Sequence, residues 1–568
     1  MEDSASSQSS GAGPAELPTV GITGSWNWNQ LLESPSRVAL ERALAAQIAS
    51  RRWFGARSRK IRALNIAEMI PLGPKYRLAL VQVEFKESRA ELFQLPLAIA
   101  VGEEAEQLLV DRPSYLWARV EAADRGESAV LYEALVDPEF RDVLLQLLET
   151  QAHCPGPSGE LAAWQAEPFT LLRGDTKLPL ASTLASAEQS NSSVIYSDRL
   201  ILKIFRRVEV GISPDVEINA HLTKRMFTHT PPLAGGLDYR LCGGSASTLA
   251  IAQSFVPNRG DAWQYTLERL KSFLNNSLHG ATSGIEFKTL LPPSDGLYHS
   301  AARAIPVAVE RIVGTFLSEA ALLGTRTAQL HLSLAAEKDD PAFVPEPFSS
   351  GDQREFVTRA RDSLKTAFQL LSNQLPKLPP SVVALARGVL QLEPIVDDRW
   401  NQFMAQPVRV NKIRCHGDFH LGQVLVSTDD FMIIDFEGEP SRSLTERRAK
   451  QLAMRDVAGM IRSYHYASCS AVQQVGENPT QIVGEMLARL ASDWYYWNSV
   501  AFLSAYQLTA GSVSFLPQSG EEWQRLLEVC LLEKAVYELQ YELNNRPDWV
   551  YLPLEALDSL LNSHSEGQ

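Results

Sequence analysis

The sequence predicts an α+β protein in which a β-rich part precedes a helix-rich part. Strand-like segments with β-branched and alternating apolar residues are concentrated before residue 258, whereas helical spacing of apolar residues dominates from Asp261 onward. The helical part is interrupted by one stretch, 414–440, in which a short apolar run separates two acidic motifs. The 568 residues, 45% of them hydrophobic, leave room for several domains with cores of their own.

The first predicted unit covers residues 25–153. Before it, residues 1–24 are rich in Ser, Gly and Ala and are expected to form a disordered tail. A capped helix is expected at the beginning of the unit, where apolar residues recur every three or four positions from about residue 36. Three strands and two helical segments follow, at 61–72, 76–85, 92–101 and near 129–150.

A Pro- and Gly-rich patch at 154–160 indicates a boundary, after which a β-rich unit is expected over residues 154–258. A helix is predicted inside this unit at 215–226. The strand-like segments are 169–174, 192–198, 199–205 and 247–255. The remaining residues, 259–568, form the predicted helix-rich unit.

Charge and composition exclude several classes of function. A net charge of −14 argues against nucleic-acid binding, because neutralising a phosphate backbone requires a basic face. Five scattered cysteines without a CxxC pair argue against a disulfide framework and against a zinc site. No run of about 18 uncharged apolar residues is present and the N-terminus lacks the pattern of a signal peptide. We therefore expect a cytoplasmic protein without a membrane partner.

The two motifs of the helix-rich part are typical of phosphoryl transfer. They read RCHGDFHLGQVL at 414–425 and IIDFEGEP at 433–440. Such chemistry requires a base beside the acceptor hydroxyl and metal ions that bridge the phosphates, which protein kinases supply as D-x4-N followed by DFG. The spacing here matches, with Gln in place of Asn. Asp418 is the predicted base, and Gln423 and Asp435 are the predicted Mg²⁺ ligands, brought together by a short hairpin.

The same hypothesis requires phosphate-binding parts in the β-rich unit. Lys203 lies in the middle of the predicted strand LILKIF, an unusual position unless its ammonium has a partner. Glu217 follows on the predicted helix and is the candidate partner of that lysine. A small polar turn is expected to offer N–H groups and hydroxyls to phosphate oxygens, and it consists of Ser190, Asn191, Ser192 and Ser193.

These stretches resemble the bacterial maltokinases, members of the aminoglycoside-phosphotransferase-like and eukaryotic-kinase-like fold. The segments that carry the resemblance are EQSNSS, ILKIFRR, GISPDVEI, HGDFHLGQVL, IDFEGEP, RDVAGMIRS and EKAVYELQYELNNRPDWVYLPL, and RRWFGARSRKI resembles the start of that family's cap domain. The resemblance implies a two-lobed kinase-like fold. Residues 25–153 would form an N-terminal cap domain, 154–258 a nucleotide-binding β-rich lobe and 259–568 a helical lobe.

The resemblance also implies a reaction. Maltokinases use ATP and Mg²⁺ to phosphorylate the anomeric hydroxyl of maltose, giving maltose 1-phosphate for glycogen and α-glucan synthesis, and they are often fused or linked to trehalose synthase, a possible partner. The residues assigned to the acceptor sugar on this basis are His416, Glu437, Lys534 and Tyr541. Tyr537 fits the core of an amphipathic helix at least as well. In RDVAGMIRS, Asp456 is expected to bond the backbone of the catalytic turn, and Arg455 and Arg462 to form structural ion pairs.

Two alternatives remain open. A related kinase acting on glucosamine or an aminoglycoside would have the same carboxylates and metal ligands and would differ only in its sugar pocket. A non-catalytic kinase-like partner of trehalose synthase would tolerate the loss of Asp418, although such proteins usually lack the base or a metal ligand.

Overall fold

The computed structural model describes residues 17–23, 27–55, 59–86, 88–122, 125–185, 190–280, 290–293, 296–475 and 481–562. The chain folds into two compact units, Met1–Ser213 with Pro232–Phe255, and Pro214–Pro231 with Val256–Gln568. Within the described residues, no helix is both long and apolar enough to cross a membrane.

The first unit begins with a mixed sheet in the order β1-β5-β6-β4-β3-β2, in which β1 and β5 are parallel. Its strands are β1 (Thr19–Ile22), β2 (Ile61–Leu72), β3 (Tyr76–Phe85), β4 (Glu91–Val101), β5 (Leu116–Ala122) and β6 (Arg125–Glu133). The helices are α1 (Trp28–Leu32), α2 (Ser36–Ile48), α3 (Glu103–Asp111) and α4 (Pro138–Thr150). Leu40, Leu44 and Ile48 lie on one face of α2 and are fully buried in one core of this unit, together with Trp117.

A second sheet of the same unit has the order β7-β8-β13-β14-β11-β10-β9. Its strands are β7 (His153–Pro155), β8 (Gly159–Gln165), β9 (Ser182–Leu184), β10 (Asn191–Tyr196), β11 (Leu200–Phe205), β13 (Leu233–Leu241) and β14 (Ala246–Ser254). A short helix, α5 (Phe169–Arg173), lies between β8 and β9, and β12 (Arg207–Val208) returns to pair with β4 of the first sheet.

Buried polar side chains join the two sheets. The Gln94 amide donates to the carbonyls of Phe205 (2.5 Å) and Leu249 (2.6 Å). The buried Arg206 guanidinium bonds both carboxylate oxygens of Glu133, at 3.2 and 3.3 Å. Because breaking a buried pair leaves an uncompensated charge, these contacts make the separation of the two sheets costly. The cap segment and the β-rich segment therefore form one structural unit.

Several sequence-based expectations for this unit are wrong. Residues 19–22, assigned to the disordered tail, form β1, because Val20 and Ile22 are buried while the backbone pairs with β5. The expected strand at 169–174 is helix α5, and the first of the two expected helices near 129–150 is strand β6. The boundary patch 154–160 lies in the β7–β8 hairpin. Residues 1–16 and 24 lie outside the described part of the chain.

In the residues that the structure describes, the second unit is helical apart from two short pairs of antiparallel strands. Its helices are α6 (Pro214–Lys224), α7 (Ala262–Gly280), α8 (Gly296–Ala301), α9 (Val307–Val313), α10 (Phe316–Ala335), α11 (Ser350–Gln374), α12 (Pro380–Gln391), α13 (Glu393–Ala405), α14 (Leu444–Arg448), α15 (Met454–Gln474), α16 (Gln481–Ala510), α17 (Gly520–Asn545) and α18 (Tyr551–Asn562). The paired strands are β15 (Glu346–Pro347) with β16 (Asn411–Lys412), and β17 (Val424–Val426) with β18 (Phe431–Ile433).

Close packing of α10 against α16 forms the centre of this unit. A Cβ atom on Gly324 of α10 would lie 2.1 Å from the carbonyl oxygen of Phe502, so only glycine permits this approach. Phe316, Trp494 and Tyr464 fill the surrounding core. Helix α6 belongs to this unit, although the sequence placed it inside the 154–258 segment; the proposed domain boundaries otherwise stay predictions.

Candidate active site

The β17–β18 hairpin brings the two sequence motifs together, which confirms the predicted hairpin. Val424 pairs with Ile433, and the Ile434 N–H donates to the carbonyl of Gln423 at 3.0 Å. Asp435 directly follows and adopts φ +68°, a conformation that costs a non-glycine residue free energy. Such strain is common where a side chain must be aimed at a ligand. Gln423 and Asp435 therefore flank the same end of one hairpin.

The turn that carries Asp418 is held by the buried carboxylate of Asp456. Its oxygens accept the N–H groups of His416 (2.8 Å) and Gly417 (3.0 Å), and His331 Nε2 lies 3.1 Å away. Burial alone would raise the pKa of Asp456, but the hydrogen bond and charge of His331 lower it below its ordinary value. The carboxylate is thus an anionic anchor for the turn, as the sequence predicted.

Helix α15 also approaches this turn closely. A Cβ atom on Gly459 would lie 2.6 Å from the carbonyl oxygen of Phe419. The arginines of the same motif form the expected pairs: Arg455 with Glu533 at 2.7 Å and Arg462 with Glu538 at 2.7 Å. Helix α15 therefore positions the turn both by the close approach of Gly459 to its backbone and by the buried anion of Asp456.

His416, assigned to the sugar by resemblance, is wrong as a substrate contact. The residue is 1% exposed, and its Nε2 lies 2.9 Å from the carbonyl of Ile434. Its ring packs against Phe419 and Phe436. The imidazole therefore links the catalytic turn to the residue before Asp435 and is enclosed by aromatic rings.

Three carboxylates meet beyond the hairpin. Single oxygens of Asp215, Asp435 and Glu437 lie within 4.8 Å of one another. The buried Asp215 comes from α6 and accepts the N–H of Phe436 at 3.0 Å. Oxygen ligands from carboxylates are those that Mg²⁺ prefers, so this cluster fits the metal that the motif implies. Asp215 was not predictable from the sequence, because its place in this cluster depends on the return of the chain some 220 residues later.

Glu217 binds two arginines of its own unit. Its Oε2 accepts from Arg414 Nη1 (2.5 Å) and Arg448 Nε (3.1 Å), and its Oε1 accepts from Arg448 Nη2 (2.6 Å). Burial would raise the pKa of Glu217, but the hydrogen bonds from Arg448 and the charge of Arg414 lower it. Pairing of Glu217 with Lys203, which belongs to the other unit, stays a prediction.

A polar pocket opens beside Asp418. Its lining includes Glu439, Arg442, Arg455, Glu533, Lys534 and Tyr537. The Lys534 ammonium lies 3.7 Å from Asp418 Oδ1 and 5.0 Å from the Tyr537 ring centroid. Although burial would lower the pKa of Lys534, the nearby carboxylates, Asp418 first among them, raise it. The pocket therefore holds a fixed positive charge next to the candidate base.

The other carboxylates of this pocket are also paired. Glu439 binds Arg442 at 2.6 Å, and Glu533 binds Arg455 at 2.7 Å. Burial would raise the pKa of Glu439, but the charge of Arg442 lowers it. Glu439, Arg442 and Glu533 were missed by the sequence analysis. Their roles could not be predicted from spacing. Glu533 binds Arg455 on another helix, and the pairing of Glu439 with Arg442 depends on the path of the loop that carries both.

Aromatic rings continue from the pocket along α17. Tyr537 and Tyr541 have ring centroids 6.4 Å apart, and Tyr541 is 42% exposed. The guanidinium of Arg546 lies 5.3 Å from the Tyr541 ring and 5.1 Å from the Trp549 ring. Tyr541 is thus available to a ligand, and Tyr537 contributes to the pocket as well as to packing.

The predicted phosphate-binding turn has a different local structure. Asn191, Ser192 and Ser193 are the first residues of strand β10, because their backbone pairs with β11. The Ser192 hydroxyl accepts from Arg206 Nε at 2.9 Å, and Ser193 is 1% exposed, so these two side chains serve the fold. Ser190 is exposed, and residues 186–189 before it lie outside the described part.

Lys203 lies in β11, as expected from the sequence. It faces Ser193 on one neighbouring strand and Ile251 on the other, and its ammonium is 5.3 Å from the Phe205 ring centroid. Its phosphate-binding role, and that of Ser190 and Asn191, stays a prediction.

The sequence of this chain is similar to a maltokinase cap domain and to two glucosamine kinases. Residues 48–137 match the maltokinase N-terminal cap domain. A glucosamine kinase from Streptacidiphilus jiangxiensis is 27% identical over 380 residues, which cover 66% of this chain and 72% of that protein. A glucosamine kinase from Mycolicibacterium smegmatis is 22% identical over 398 residues, covering 69% of this chain and 83% of that protein.

Solved structures of glucosamine kinase share the fold of this chain. Glucosamine kinase in complex with glucosamine, ADP and inorganic phosphate superimposes with a TM-score of 0.55 at 20% identity, covering 91% of this chain and 99% of that one. Glucosamine kinase in crystal form B gives a TM-score of 0.58 at 20% identity, covering 94% of this chain and 99% of that one. The shared fold confirms the predicted α+β, kinase-like architecture, and the cap match confirms the N-terminal cap.

Proposed function

We propose that this chain, a maltokinase-like protein with a kinase-like fold, transfers the γ-phosphoryl group of ATP to a neutral sugar. The proposed acceptor is maltose and the proposed product is maltose 1-phosphate. The observation that carries the proposal is the pocket beside Asp418, in which Lys534 contributes a positive charge 3.7 Å from the candidate base.

Asp418 is the proposed base for the acceptor hydroxyl. A carboxylate within hydrogen-bond reach of that hydroxyl orients it and accepts its proton as the phosphoryl group is transferred. The turn is held by Asp456 and by the contact with Gly459, so the carboxylate needs little reorganisation when the sugar binds. Lys534, 3.7 Å from this carboxylate, would contact an adjacent sugar hydroxyl.

Gln423 and Asp435 stay the proposed Mg²⁺ ligands, and Glu437 is added to them because its carboxylate lies close to those of Asp435 and Asp215. When bound, the metal would neutralise charge on the phosphate oxygens of ATP. Glu437 is therefore reassigned from the sugar to the metal. Ser190, Asn191 and Lys203 stay the proposed phosphate ligands of the first unit.

A neutral acceptor is favoured by the charges of the pocket. Asp418 faces Lys534, Glu439 faces Arg442 and Glu533 faces Arg455. A protonated amino sugar would have to displace one of these cations or lie beside it, at a cost from like charges. Maltose, which carries no charge, avoids this cost.

A disaccharide is favoured by the aromatic continuation. Lys534, Tyr537 and Tyr541 lie on one face of α17, and the seven steps from the first residue to the last span about 10 Å along the helix axis. That length suits two linked sugar rings. Tyr541 would stack on the ring distal to the transferred phosphoryl group. Association with trehalose synthase stays a prediction from the resemblance.

The second candidate is phosphorylation of glucosamine, which is favoured by the names of the relatives. An acceptor panel separates the two candidates. ADP release is measured with ATP, Mg²⁺ and maltose, glucose, glucosamine or kanamycin. Strong turnover of maltose and weak turnover of the amino sugars supports the proposal, whereas turnover of glucosamine or kanamycin alone overturns it.

A further inference from the structure

Helix α6 contacts the catalytic motif at two points and the adjoining helix α14 at a third. We infer that Glu217 is a positioning residue, which acts through Arg414 and Arg448 on the turn of Asp418 and on the segment after Asp435. This inference rests on the proposed function. It differs from the role expected from the sequence, in which Glu217 orients a phosphate-binding lysine.

The first contact is made with Arg414, four residues before Asp418. Arg414 is 1% exposed, its guanidinium lies 5.3 Å from the Phe343 ring, and its Nη1 donates to Glu217 at 2.5 Å. A buried guanidinium requires an anionic partner. The preceding residue, Ile413, exchanges two backbone hydrogen bonds with Gln451. The segment that leads into the turn is therefore held by its backbone as well as by the side chain of Arg414.

The second contact is made with Arg448, the last residue of α14. Two nitrogens of its guanidinium bind the two carboxylate oxygens of Glu217, a bidentate geometry that fixes direction as well as distance. The neighbouring Arg447 donates to the carbonyl of Glu437 at 3.0 Å. The position of α14 is therefore coupled to the acidic triplet Asp435-Phe436-Glu437, which follows the hairpin.

The third contact is made two residues earlier on the same helix. Asp215 accepts the N–H of Phe436, the residue between the two proposed metal ligands. The first turn of α6 thus holds the residues before Asp418, the residues around Phe436 and the end of α14. Both oxygens of Glu217 are used within this arrangement.

The two possible roles of Glu217 predict different kinetics. A residue that orients the base and the acidic triplet affects the chemical step, so its loss lowers kcat and leaves nucleotide affinity largely intact. A residue that orients a phosphate-binding lysine affects nucleotide affinity, and its loss adds nothing once the lysine is removed. Double-mutant cycles distinguish these cases, because residues that act through each other are not additive.

The experiment uses Glu217→Gln, Arg448→Gln and Lys203→Met, with the double variants Glu217→Gln/Arg448→Gln and Glu217→Gln/Lys203→Met. Measured are kcat and KM for ATP, the dissociation constant of a fluorescent ADP analogue with Mg²⁺, and the midpoint of thermal unfolding. Arg448 is partly exposed, so its variant is expected to fold even if the loss of Glu217 weakens the fold. Glu446→Gln is the control, since Gln retains the cap that Glu446 forms with Ser443.

We expect Glu217→Gln and Arg448→Gln each to lower kcat by roughly 10- to 100-fold, with ATP KM and ADP affinity changed less than about twofold. Their double variant should be no worse than the poorer single variant, whereas the effects of Glu217→Gln and Lys203→Met should multiply. The control should match the wild type.

The inference is overturned if Glu217→Gln weakens ADP binding as Lys203→Met does and adds nothing to it. It is equally overturned if the Glu217 and Arg448 effects on the unfolding midpoint are additive. The ADP titration and the unfolding cycle require no sugar acceptor. They therefore decide whether Glu217 acts through Arg448 or through Lys203 even if the acceptor panel refutes the proposed function, and kcat then tests the positioning role.

Discussion

The ammonium of Lys534 lies 3.7 Å from the carboxylate of Asp418, and the two groups are 24% and 22% exposed. They come from α17 and from a turn more than 100 residues earlier in the chain. In the proposed function, this ammonium occupies the place where a protonated amino substituent of a sugar would otherwise lie beside Asp418. The proposed preference for a neutral acceptor therefore depends on Lys534.

Lys534→Met is expected to change acceptor preference. Removing the ammonium removes the like-charge cost of a protonated amino sugar, so kcat/KM for glucosamine relative to maltose should rise by roughly tenfold. The ratio is measured by ADP release with both sugars. Lys450→Met, which removes a Lys that pairs with Glu346 elsewhere in this unit, is the control and should leave the ratio unchanged. An unchanged ratio in Lys534→Met would refute the electrostatic argument.

Tyr541→Ala is expected to raise KM for maltose by roughly tenfold and to leave KM for ATP unchanged, because only the distal sugar ring loses its aromatic platform. Tyr541→Phe keeps the ring and should behave as the wild type. Initial rates at varied maltose and ATP separate the two constants. Equal effects of the two substitutions would point to the hydroxyl instead of the ring.

Asp456→Asn is expected to destabilise the chain by roughly 2–3 kcal/mol at pH 7, since it removes the charge that binds two backbone N–H groups and His331. The pKa of Asp456 is lowered by folding, so its contribution is fully present above the ordinary Asp value of about 3.9 and is lost as the pH falls through the lower folded pKa. Urea unfolding of the wild type and the variant from pH 7 to pH 3 measures this. A stability difference that grows on acidification would contradict it.

Asp435→Asn is expected to raise the Mg²⁺ concentration needed for half-maximal activity by roughly tenfold or more, because one anionic ligand becomes neutral. Asp430→Asn is not a suitable control, since Asp430 binds Arg326 bidentately. Asp429→Asn, in the exposed turn of the same hairpin, is suitable and should titrate as the wild type. An unaltered Mg²⁺ requirement in Asp435→Asn would remove this residue from the proposed metal site.

Local patterns predicted the parts of the site that depend on neighbouring residues. The hairpin between Gln423 and Asp435 follows from a short alternating apolar run between two polar motifs. The face shared by Lys534 and Tyr541 follows from helical periodicity. Asp456 was correctly expected to hold the turn, although only the structure identifies the N–H groups of His416 and Gly417 as its partners.

Long-range partners were not predictable from spacing. Asp215 and Glu217 are two residues apart on α6, yet they bind Phe436, Arg414 and Arg448 across roughly 200 residues of sequence. Ser192 was misassigned because a run of small polar residues is typical of a turn, while its actual environment is set by a buried Arg206. His416 was misassigned because burial cannot be inferred from a motif alone.

The central claim is that Asp418 activates a sugar hydroxyl for phosphoryl transfer. The most direct test is phosphorus NMR of the product formed from maltose, ATP and Mg²⁺ by the wild type and by Asp418→Asn, with ADP affinity measured in both. We predict a sugar phosphate coupled to the anomeric proton with the wild type, at least a roughly 100-fold slower reaction with Asp418→Asn, and equal ADP binding. Undiminished formation of the same product by Asp418→Asn, or the absence of any sugar phosphate with the wild type, would contradict the account.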